Sequence, residues 1–263
     1  MINKTPDIIF DDGDAYERYM GVWSRLVGAD FIQWLSPGKN SSFADIGCGN
    51  GAFSVQIDQI CDPRKIAGID PSEAQINYAR ELKLKAPSEF IVGDAMSLPY
   101  ENEGFDIALM ALVLFFVPDP DLGLSEMKRI TRVDGLVAAY AWDVLGGGLP
   151  MEPLHALLRD RGIEYPLPPS KEVSQIDAME RLWKNAGLAA VYTTSFQVER
   201  TFKDFDEYWT VSSLGPSVAG VLENIEASTL GEIKYDLERS LQKDTHGRIV
   251  TLASANAVKG IKT

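Results

Sequence analysis

A glycine-rich segment near residue 45 carries the strongest chemical signal in the chain. It contains Asp45, Gly47, Cys48, Gly49 and Gly51, and it stands between a short apolar run and a helical pattern. Glycines let a ligand approach the backbone closely, and the start of the following helix offers unpaired N–H groups. The spacing also satisfies the G-x-G-x-x-G/A pattern of dinucleotide sites, so this segment alone predicts a nucleotide-type ligand without naming it.

Two more acidic residues follow the next two strand-like runs. Asp70 lies 19 residues after Gly51, near the spacing of ~20 at which a carboxylate accepts hydrogen bonds from ribose hydroxyls. Asp94 is suited to accept a hydrogen bond from an adenine amino group, and the small Ala95 beside it leaves room for the ring. Each residue alone is equally compatible with a turn or a helix cap. Three acidic strand ends together favour an adenosine-containing ligand.

An alternation of strands and helices must position these residues. The strand-like runs are residues 42–46, 65–69, 89–92, 105–110 and 136–142, and the helical patterns cover about 52–60, 71–85 and 122–131. Such alternation indicates a parallel sheet with helices on both faces. Two later runs, 189–198 and 248–258, flank a helical insert of about 45 residues. We expect them to pair antiparallel at the edge of the sheet.

Composition limits the classes of function. The chain has 263 residues, 45% of them hydrophobic, which suits one α/β domain with a large core. Its net charge of −13 argues against nucleic acid as a substrate, and its most apolar run is too short to span a bilayer. Two cysteines, Cys48 and Cys61, form neither a disulfide framework nor a metal cluster, so we expect no metal and a reducing, cytoplasmic location.

Over about residues 43–143 the chain resembles the class I S-adenosylmethionine (SAM)-dependent methyltransferases. The branch is the one that includes ubiquinone/menaquinone-biosynthesis C-methyltransferases and aconitate methyltransferases. The matching pieces, in the family's order, are ADIGCGNG, AGIDPSEAQINYAR, VGDAMSLPY, FDIALMALVLFFVPDP and MKRITRVDGLVAAYAWD. Each piece alone is weak, but their order and spacing together are specific.

The resemblance implies a fold, a cofactor and a set of cofactor-binding residues. The fold is an α/β, Rossmann-like, seven-stranded sheet with an antiparallel last strand and helical lid segments, and the cofactor is SAM, which leaves as S-adenosylhomocysteine (SAH). The implied residues are Tyr19, Trp23, Arg25, Asp45, Gly47, Cys48, Gly49, Asp70, Pro71, Asp94, Ala95, Met96, Ala111 and Leu112. Arg25 would bind the methionine carboxylate, with a solvated helix charge as the alternative. Tyr19 and Trp23 would face the cation, or form part of a packed apolar stripe.

The sequence specifies the substrate-binding residues less well than the cofactor-binding residues. We expect a single domain over 1–263, in which 1–35 form N-terminal lid helices, 36–142 the SAM-binding core, and 143–173 and 203–245 substrate-lid insertions. Substrate contacts are expected from Tyr16, Phe115, Trp142 and Trp209. Asp143, at the end of the fifth strand, is the candidate general base, ahead of His155 and His246.

The predicted activity is methyl transfer to a small molecule, with O-, C- and N-methylation all left open. Many relatives carry a histidine near residues 114–116, and this chain has none there. The Asn-Pro-Pro-aromatic motif of nucleic-acid N-methyltransferases is also missing after the fourth strand. The alternatives are an NAD(P)-dependent oxidoreductase, which the glycine segment permits, and a SAM-binding, non-catalytic partner subunit. A homodimer is the assembly state to test.

Overall fold

One mixed sheet organises the protein, whose computed structural model describes residues 17–263. Its strands are β1 (Ser42–Ile46), β2 (Lys65–Asp70), β3 (Ser88–Val92), β4 (Phe105–Ala111), β5 (Thr131–Trp142), β6 (Ala189–Phe202), β7 (Gln242–Lys243) and β8 (Ile249–Ile261). The strand order is β3-β2-β1-β4-β5-β8-β6, with β7 paired to β8.

The first five strands are parallel, as the alternation predicted. Every residue of β1 is buried, because helices cover both faces of the sheet at this point. The carboxyl ends of parallel strands meet at one edge, so Asp45, Asp70 and the residues after β3 are brought to the same side of the molecule.

The two late strands form the expected antiparallel pair. β8 runs antiparallel to both β5 and β6, so it lies between them. The expected last antiparallel strand is therefore confirmed. The sheet has eight strands rather than seven, because the two-residue β7 turns back at residues 244–248 to pair with the start of β8.

Helices connect and cover the strands. They are α1 (Val22–Leu35), α2 (Ala52–Ile60), α3 (Glu73–Arg80), α4 (Pro120–Ile130), α5 (Glu152–Asp160), α6 (Ile176–Asn185), α7 (Phe205–Ser212), α8 (Ala219–Glu223) and α9 (Ala227–Ser240). The α3 helix is shorter than the sequence predicted. Beyond its end, the carboxylate of Asp58 accepts hydrogen bonds from the amides of Lys85 and Ala86, at 3.0 and 2.9 Å, which holds that stretch as a loop.

Three segments outside the sheet meet at its carboxyl edge: residues 17–25, 143–173 and 203–245. The first begins with a π-helical turn, Glu17–Gly21, in which the ring of Tyr19 packs against Gly215. An ion pair between Arg161 and Asp236 joins the second segment to the third. These contacts bring together the three segments that the sequence predicted as lids.

The α1 helix is anchored to the sheet by aromatic packing. The ring centroid of Phe31 lies 4.6 Å from that of Tyr140 on β5 and 6.2 Å from that of Phe53 on α2. Across residues 17–263, no helix has both the length and the apolar character needed to cross a membrane. The same residues hold no group of three or more side chains arranged to bind a metal ion.

Candidate functional site

The glycine segment forms a tight turn between β1 and α2. Gly47, Gly49 and Gly51 have φ values of +74°, +53° and +82°, which side-chain-bearing residues rarely adopt. A Cβ on Gly47 would lie 2.4 Å from a methyl of Val113, in the loop after β4. A Cβ on Gly49 would meet nothing within 4 Å. Gly47 is therefore required for packing, whereas Gly49 faces open space where a ligand can approach the backbone.

Asp70 ties the glycine turn to the end of β2. One carboxylate oxygen accepts the backbone N–H of Gly49 at 2.9 Å, and the other accepts that of Ser72 at 2.9 Å. Burial raises the pKa of Asp70, and the Ser72 and Gly49 hydrogen bonds offset part of that rise. Ser72 in turn caps α3 by accepting the amide of Gln75. Asp70 thus shapes the turn as well as presenting a carboxylate.

Asp45 is a wholly buried carboxylic acid at the end of β1. Its Oδ2 accepts a 2.6 Å hydrogen bond from the hydroxyl of Ser54, whereas its Oδ1 has no partner within residues 17–263. Burial raises the pKa of Asp45 to about 7; the Ser54 hydrogen bond opposes this shift, and the charge of Asp70 adds to it. A buried acceptor without a partner is costly, so this atom indicates a missing donor or cation.

Asp94 follows β3 in a turn that is tied to β2. Its side chain is exposed, and one oxygen accepts the amide of Met96 at 2.8 Å. The N–H of Gly93 donates to the carbonyl of Asp70 at 3.1 Å. Ala95 and Met96 are half-buried and pack against the main core. The three acidic residues thus follow three neighbouring strands in the order β3-β2-β1.

The end of β4 completes this part of the edge. Leu112 has a φ of +62°, a strained value for leucine, and its amide donates to the carbonyl of Tyr140 at 2.9 Å. The unusual backbone directs the chain so that Val113 reaches Gly47. Ala111 and Leu112 directly precede Val113 in the chain, and their predicted contact with the cofactor stays a prediction.

The residues near the N-terminus that were predicted to bind the cofactor differ in how exposed they are. Tyr19 is 5% exposed and Trp23 is fully buried, with no hydrogen-bond partner for its indole N–H in the described part of the chain. Arg25 is exposed, lining a groove between α1 and β6 together with Val198 and Glu199. Tyr16 lies outside the described residues.

Cys48 and Pro71, both predicted to bind the cofactor, differ in burial: Cys48 is buried and Pro71 is exposed. The Cys48 side chain packs in a small apolar cluster with Ile76, Ala79 and Phe90, and burial raises the pKa of its thiol. Any contact of this residue with a ligand would therefore come from its backbone. Pro71 is exposed directly after Asp70.

The predicted substrate residues are mostly buried. Phe115 and Trp142 are each 3% exposed. Trp209 is half-buried, and the ammonium of Lys234 on α9 lies 4.6 Å from its ring centroid. Asp143 is half-exposed, and its Oδ1 accepts the amide of Gly146 at 3.0 Å, which closes the turn after β5. Trp209 and Asp143 therefore each have a structural contact.

Sequence reasoning assigned no role to Glu152 and considered His155 only behind Asp143 as a candidate base. Tyr208 is fully buried on α7, and Glu152 lies one helical turn before His155 on α5. His155 is also buried, with 2% of its surface exposed. A single histidine on this helix gave little reason to predict a buried polar side chain. The available signal was polar residues three apart on the apolar face of α5.

This arrangement fits the cofactor that the resemblance implied. SAM carries a sulfonium and an ammonium but no phosphate, so it is compatible with acidic residues at three strand ends. The partnerless Oδ1 of Asp45 and the open space at Gly49 are the two local features that a cationic ligand would fill. A dinucleotide would instead place a pyrophosphate near Asp45, where the negative charges oppose each other.

Comparison with known proteins finds methyltransferases among the similar sequences. Residues 44–139 match the family described as a methyltransferase domain. An uncharacterized methyltransferase of Schizosaccharomyces pombe is 29% identical over 169 residues, which are 60% of this chain and 61% of that protein. The demethylmenaquinone methyltransferase of Staphylococcus aureus is 30% identical over 125 residues, 47% of this chain and 50% of that protein. The chain thus spans about half to three-fifths of the length of these curated relatives.

A solved structure shows the same fold over most of the chain. Phosphoethanolamine N-methyltransferase 2 of Haemonchus contortus, in complex with SAM, aligns with 96% of this chain and 57% of its own, with a TM-score of 0.60 and 16% identity. At that identity the likeness concerns the fold alone. The matched segment 44–139 contains Asp45, Gly49, Asp70 and Asp94. Residues 44–139 are therefore similar to a methyltransferase domain, and the chain as a whole shares the fold of a solved methyltransferase.

Proposed function

We propose that this protein binds SAM at the carboxyl ends of β1, β2 and β3 and transfers its methyl group to a small molecule. The observation that carries the proposal is the set of Asp45, Asp70 and Asp94 at three adjacent strand ends, together with the open space at Gly49, whose amide binds Asp70. In this proposal Asp70 accepts hydrogen bonds from the ribose, Asp94 from the adenine, and Asp45 compensates the positive charge.

The chain's residues would act mainly by binding and alignment. Bound SAM supplies an electrophilic methyl group on a sulfonium. Transfer in line to a nucleophile gains most from correct placement and from exclusion of water. Tyr19 and Trp23 are buried, and in this proposal they would help to exclude water from the cofactor. Residues 1–35, 143–173 and 203–245 would cover the acceptor, while 36–142 hold the cofactor.

Asp143 is proposed as the general base if the acceptor must lose a proton. It lies directly after β5 and is half-exposed, although one oxygen already accepts the amide of Gly146. Asp143→Asn keeps an oxygen for that hydrogen bond and removes the basic group. A loss of turnover with unchanged SAH affinity would support this role, whereas unchanged turnover would exclude it.

The class of substrate, the cellular location and the assembly are proposed from the charge and the cysteines of the chain. The net charge of −13 supports a substrate other than nucleic acid. The free thiols of Cys48 and Cys61 support a reducing, cytoplasmic location. A homodimer is proposed as the assembly to test by light scattering.

Isothermal titration with SAM, SAH and NAD tests cofactor choice. We expect SAM and SAH to bind and NAD not to bind. Transfer of a labelled methyl group from SAM to a panel of small acceptors then separates an enzyme from a non-catalytic SAM-binding subunit. Binding of NAD without SAH would overturn the proposal in favour of an oxidoreductase.

A further inference from the structure

A buried asparagine interrupts the apolar middle of β8. Asn256 is 6% exposed and lies between Ala255 and Ala257, which are both fully buried. Asparagine is disfavoured in strands, and its amide is costly to bury unless it is hydrogen-bonded. A residue that breaks the local pattern of a strand in this way is expected to have a further purpose.

Both ends of the Asn256 amide have partners outside β8. Its Nδ2 donates to the carbonyl of Ser174 at 2.9 Å, and its Oδ1 accepts the hydroxyl of Ser195 on β6 at 2.6 Å. A carbonyl can only accept, so this contact fixes which end of the amide faces Ser174. Asn256 therefore joins the sheet to the stretch of chain that contains Ser174.

Ser174 in turn contacts the turn after β5. It ends residues 170–174, a stretch between α5 and α6 that we call the bridging segment. Ser174 is fully buried, and its Oγ accepts the backbone N–H of Val144 at 3.3 Å, a donor shared with the carbonyl of Trp142 at 2.8 Å. Val144 directly follows Asp143, the proposed general base. A chain of contacts that begins on β8 therefore reaches the Asp143 turn.

The backbone of β8 holds the same turn directly. The N–H of Asp143 donates to the carbonyl of Ser254 at 2.9 Å, and the N–H of Ser254 donates to the carbonyl of Gly148 at 3.0 Å. Ser254 lies two residues before Asn256. Two neighbouring positions of β8 therefore restrain the turn, one through its main chain and the other through Ser174.

The bridging segment also holds the loop after β4. The N–H and the hydroxyl of Ser170 both donate to backbone carbonyls of that loop, at 3.0 and 2.7 Å. The same loop contains Val113, which lies against Gly47 of the glycine turn. The bridging segment therefore fixes the Asp143 turn relative to the loop that borders the proposed cofactor site.

We propose that Asn256 and Ser174 are positioning residues of the methyl-transfer reaction, which place the carboxylate of Asp143 relative to the bound cofactor and acceptor. The inference deepens the proposed function and rests on it, because both residues act through Asp143. Without the Asn256 amide, the carbonyl of Ser174 loses its donor and the bridging segment loses its side-chain contact with β8. Misplacing a reacting group by about 1 Å lowers turnover by up to ~100-fold.

Asn256→Ala tests this role, with turnover measured as transfer of a labelled methyl group from SAM to the small acceptor that the native protein methylates fastest. We expect kcat to fall by roughly 10- to 100-fold through misplacement of the base, whereas SAH affinity is unchanged. The matched control is Thr251→Val. Thr251 is 4% exposed on the same strand, but its hydroxyl has no hydrogen-bond partner within residues 17–263. This control should keep the native kcat and SAH affinity.

A double-variant cycle shows whether Asn256 acts through Asp143. In an Asp143→Asn background, Asn256→Ala should cause no further loss of kcat, because no basic group is left to be placed. Two losses that multiply would show that Asn256 supports the fold alone and would overturn the inference. If thermal unfolding shows that Asn256→Ala does not fold, Ser174→Ala takes its place in the cycle, since it removes the Oγ that contacts Val144 and retains the carbonyl that Asn256 binds.

The same measurements separate this inference from the proposed function. If the native protein binds SAH and transfers the methyl group but Asn256→Ala keeps the native kcat, the positioning role is wrong and the proposed function stands. Native kcat in Asp143→Asn also overturns the inference, because the group to be placed is then not the base. If the native protein transfers no methyl group, the proposed function fails and the inference fails with it.

Discussion

The backbone N–H of Gly49 donates to the carboxylate of Asp70 at 2.9 Å, joining the turn after β1 to the end of β2. In the proposed function, the carboxylate that fixes the glycine turn also accepts hydrogen bonds from the ligand. Loss of Asp70 should therefore affect the turn and the ligand together, and two substitutions are needed to separate these effects.

Asp70→Ala should reduce SAH affinity by about 5- to 150-fold, corresponding to a loss of roughly 1–3 kcal/mol of hydrogen bonding. Asp70→Asn retains one oxygen for the Gly49 amide and should lose less. Calorimetric titration with SAH checks both variants. Native affinity in Asp70→Ala would remove this residue from the site.

Gly47→Ala should destabilise the fold, because the new Cβ would lie 2.4 Å from Val113 and the φ is +74°. We expect a loss of about 2–4 kcal/mol from the backbone and steric terms together. Adding Val113→Ala should recover the steric part, which denaturant unfolding of the single and double variants can measure. Additive effects would show that these residues do not compete for space.

Gly49→Ala should fold with a modest loss of stability, about 1 kcal/mol for its left-handed backbone, but should bind SAH poorly. The control is Gly247→Ala in the turn before β8, where φ is +79° and a Cβ also meets nothing within 4 Å. Both variants pay a similar backbone cost, so only the first should lose ligand. Thermal unfolding with and without SAH compares them, and equal stabilisation by SAH would show that the Gly49 turn is structural only.

Asp45 should make SAM binding depend on pH near neutrality. Burial raises the pKa of Asp45 to about 7, so below that pH the carboxyl is protonated and must lose its proton before it can compensate a cation. SAM affinity should therefore fall about tenfold per pH unit below ~7. Titrations between pH 5.5 and 7.5 should show this slope in the native protein and a weak, flat affinity in Asp45→Asn. The same slope in both proteins would assign the titration to another group.

His155 should make the stability of the fold depend on pH. Its folded pKa of about 4 lies below the ordinary value of 6.5, so the unfolded chain binds a proton in this interval and the folded one does not. Stability should rise with pH between about 4 and 6.5, by a total on the order of 3 kcal/mol. His155→Phe should remove this contribution, measured by urea unfolding across the interval. An unchanged pH profile would show that the imidazole is accessible to solvent.

The sequence predicted the sheet well, because buried parallel strands have a continuous apolar pattern. The bounds of β1 agree with the prediction to the residue, and the antiparallel pairing of the two late strands is confirmed. The predicted end of α3, near Lys85, was wrong. The chain there is held as a loop by hydrogen bonds to the carboxylate of Asp58 from amides that lie 27 and 28 residues further along the chain. Periodicity within a helix carries no information about such a distant contact.

The candidate site, like the fold, was predictable from the sequence only where its residues lie in local motifs. Asp45, Gly49, Asp70 and Asp94 lie in local motifs whose spacing follows from strand-turn-helix geometry, so the structure brings them to one edge. Tyr19 meets Gly215, and Arg161 pairs with Asp236, only because distant outer segments pack together. The pairing of outer helices therefore had to come from the structure.

The position of β8 between β5 and β6 has a consequence for biosynthesis. A growing chain completes β5 at Trp142, but the strand that covers its free edge begins only at Ile249. While the intervening residues leave the ribosome, β5 presents an unpaired apolar edge, the kind of surface that promotes aggregation. Release from the ribosome before residue 249 should therefore yield an aggregation-prone chain, and a chaperone that shields strand edges would act during that interval.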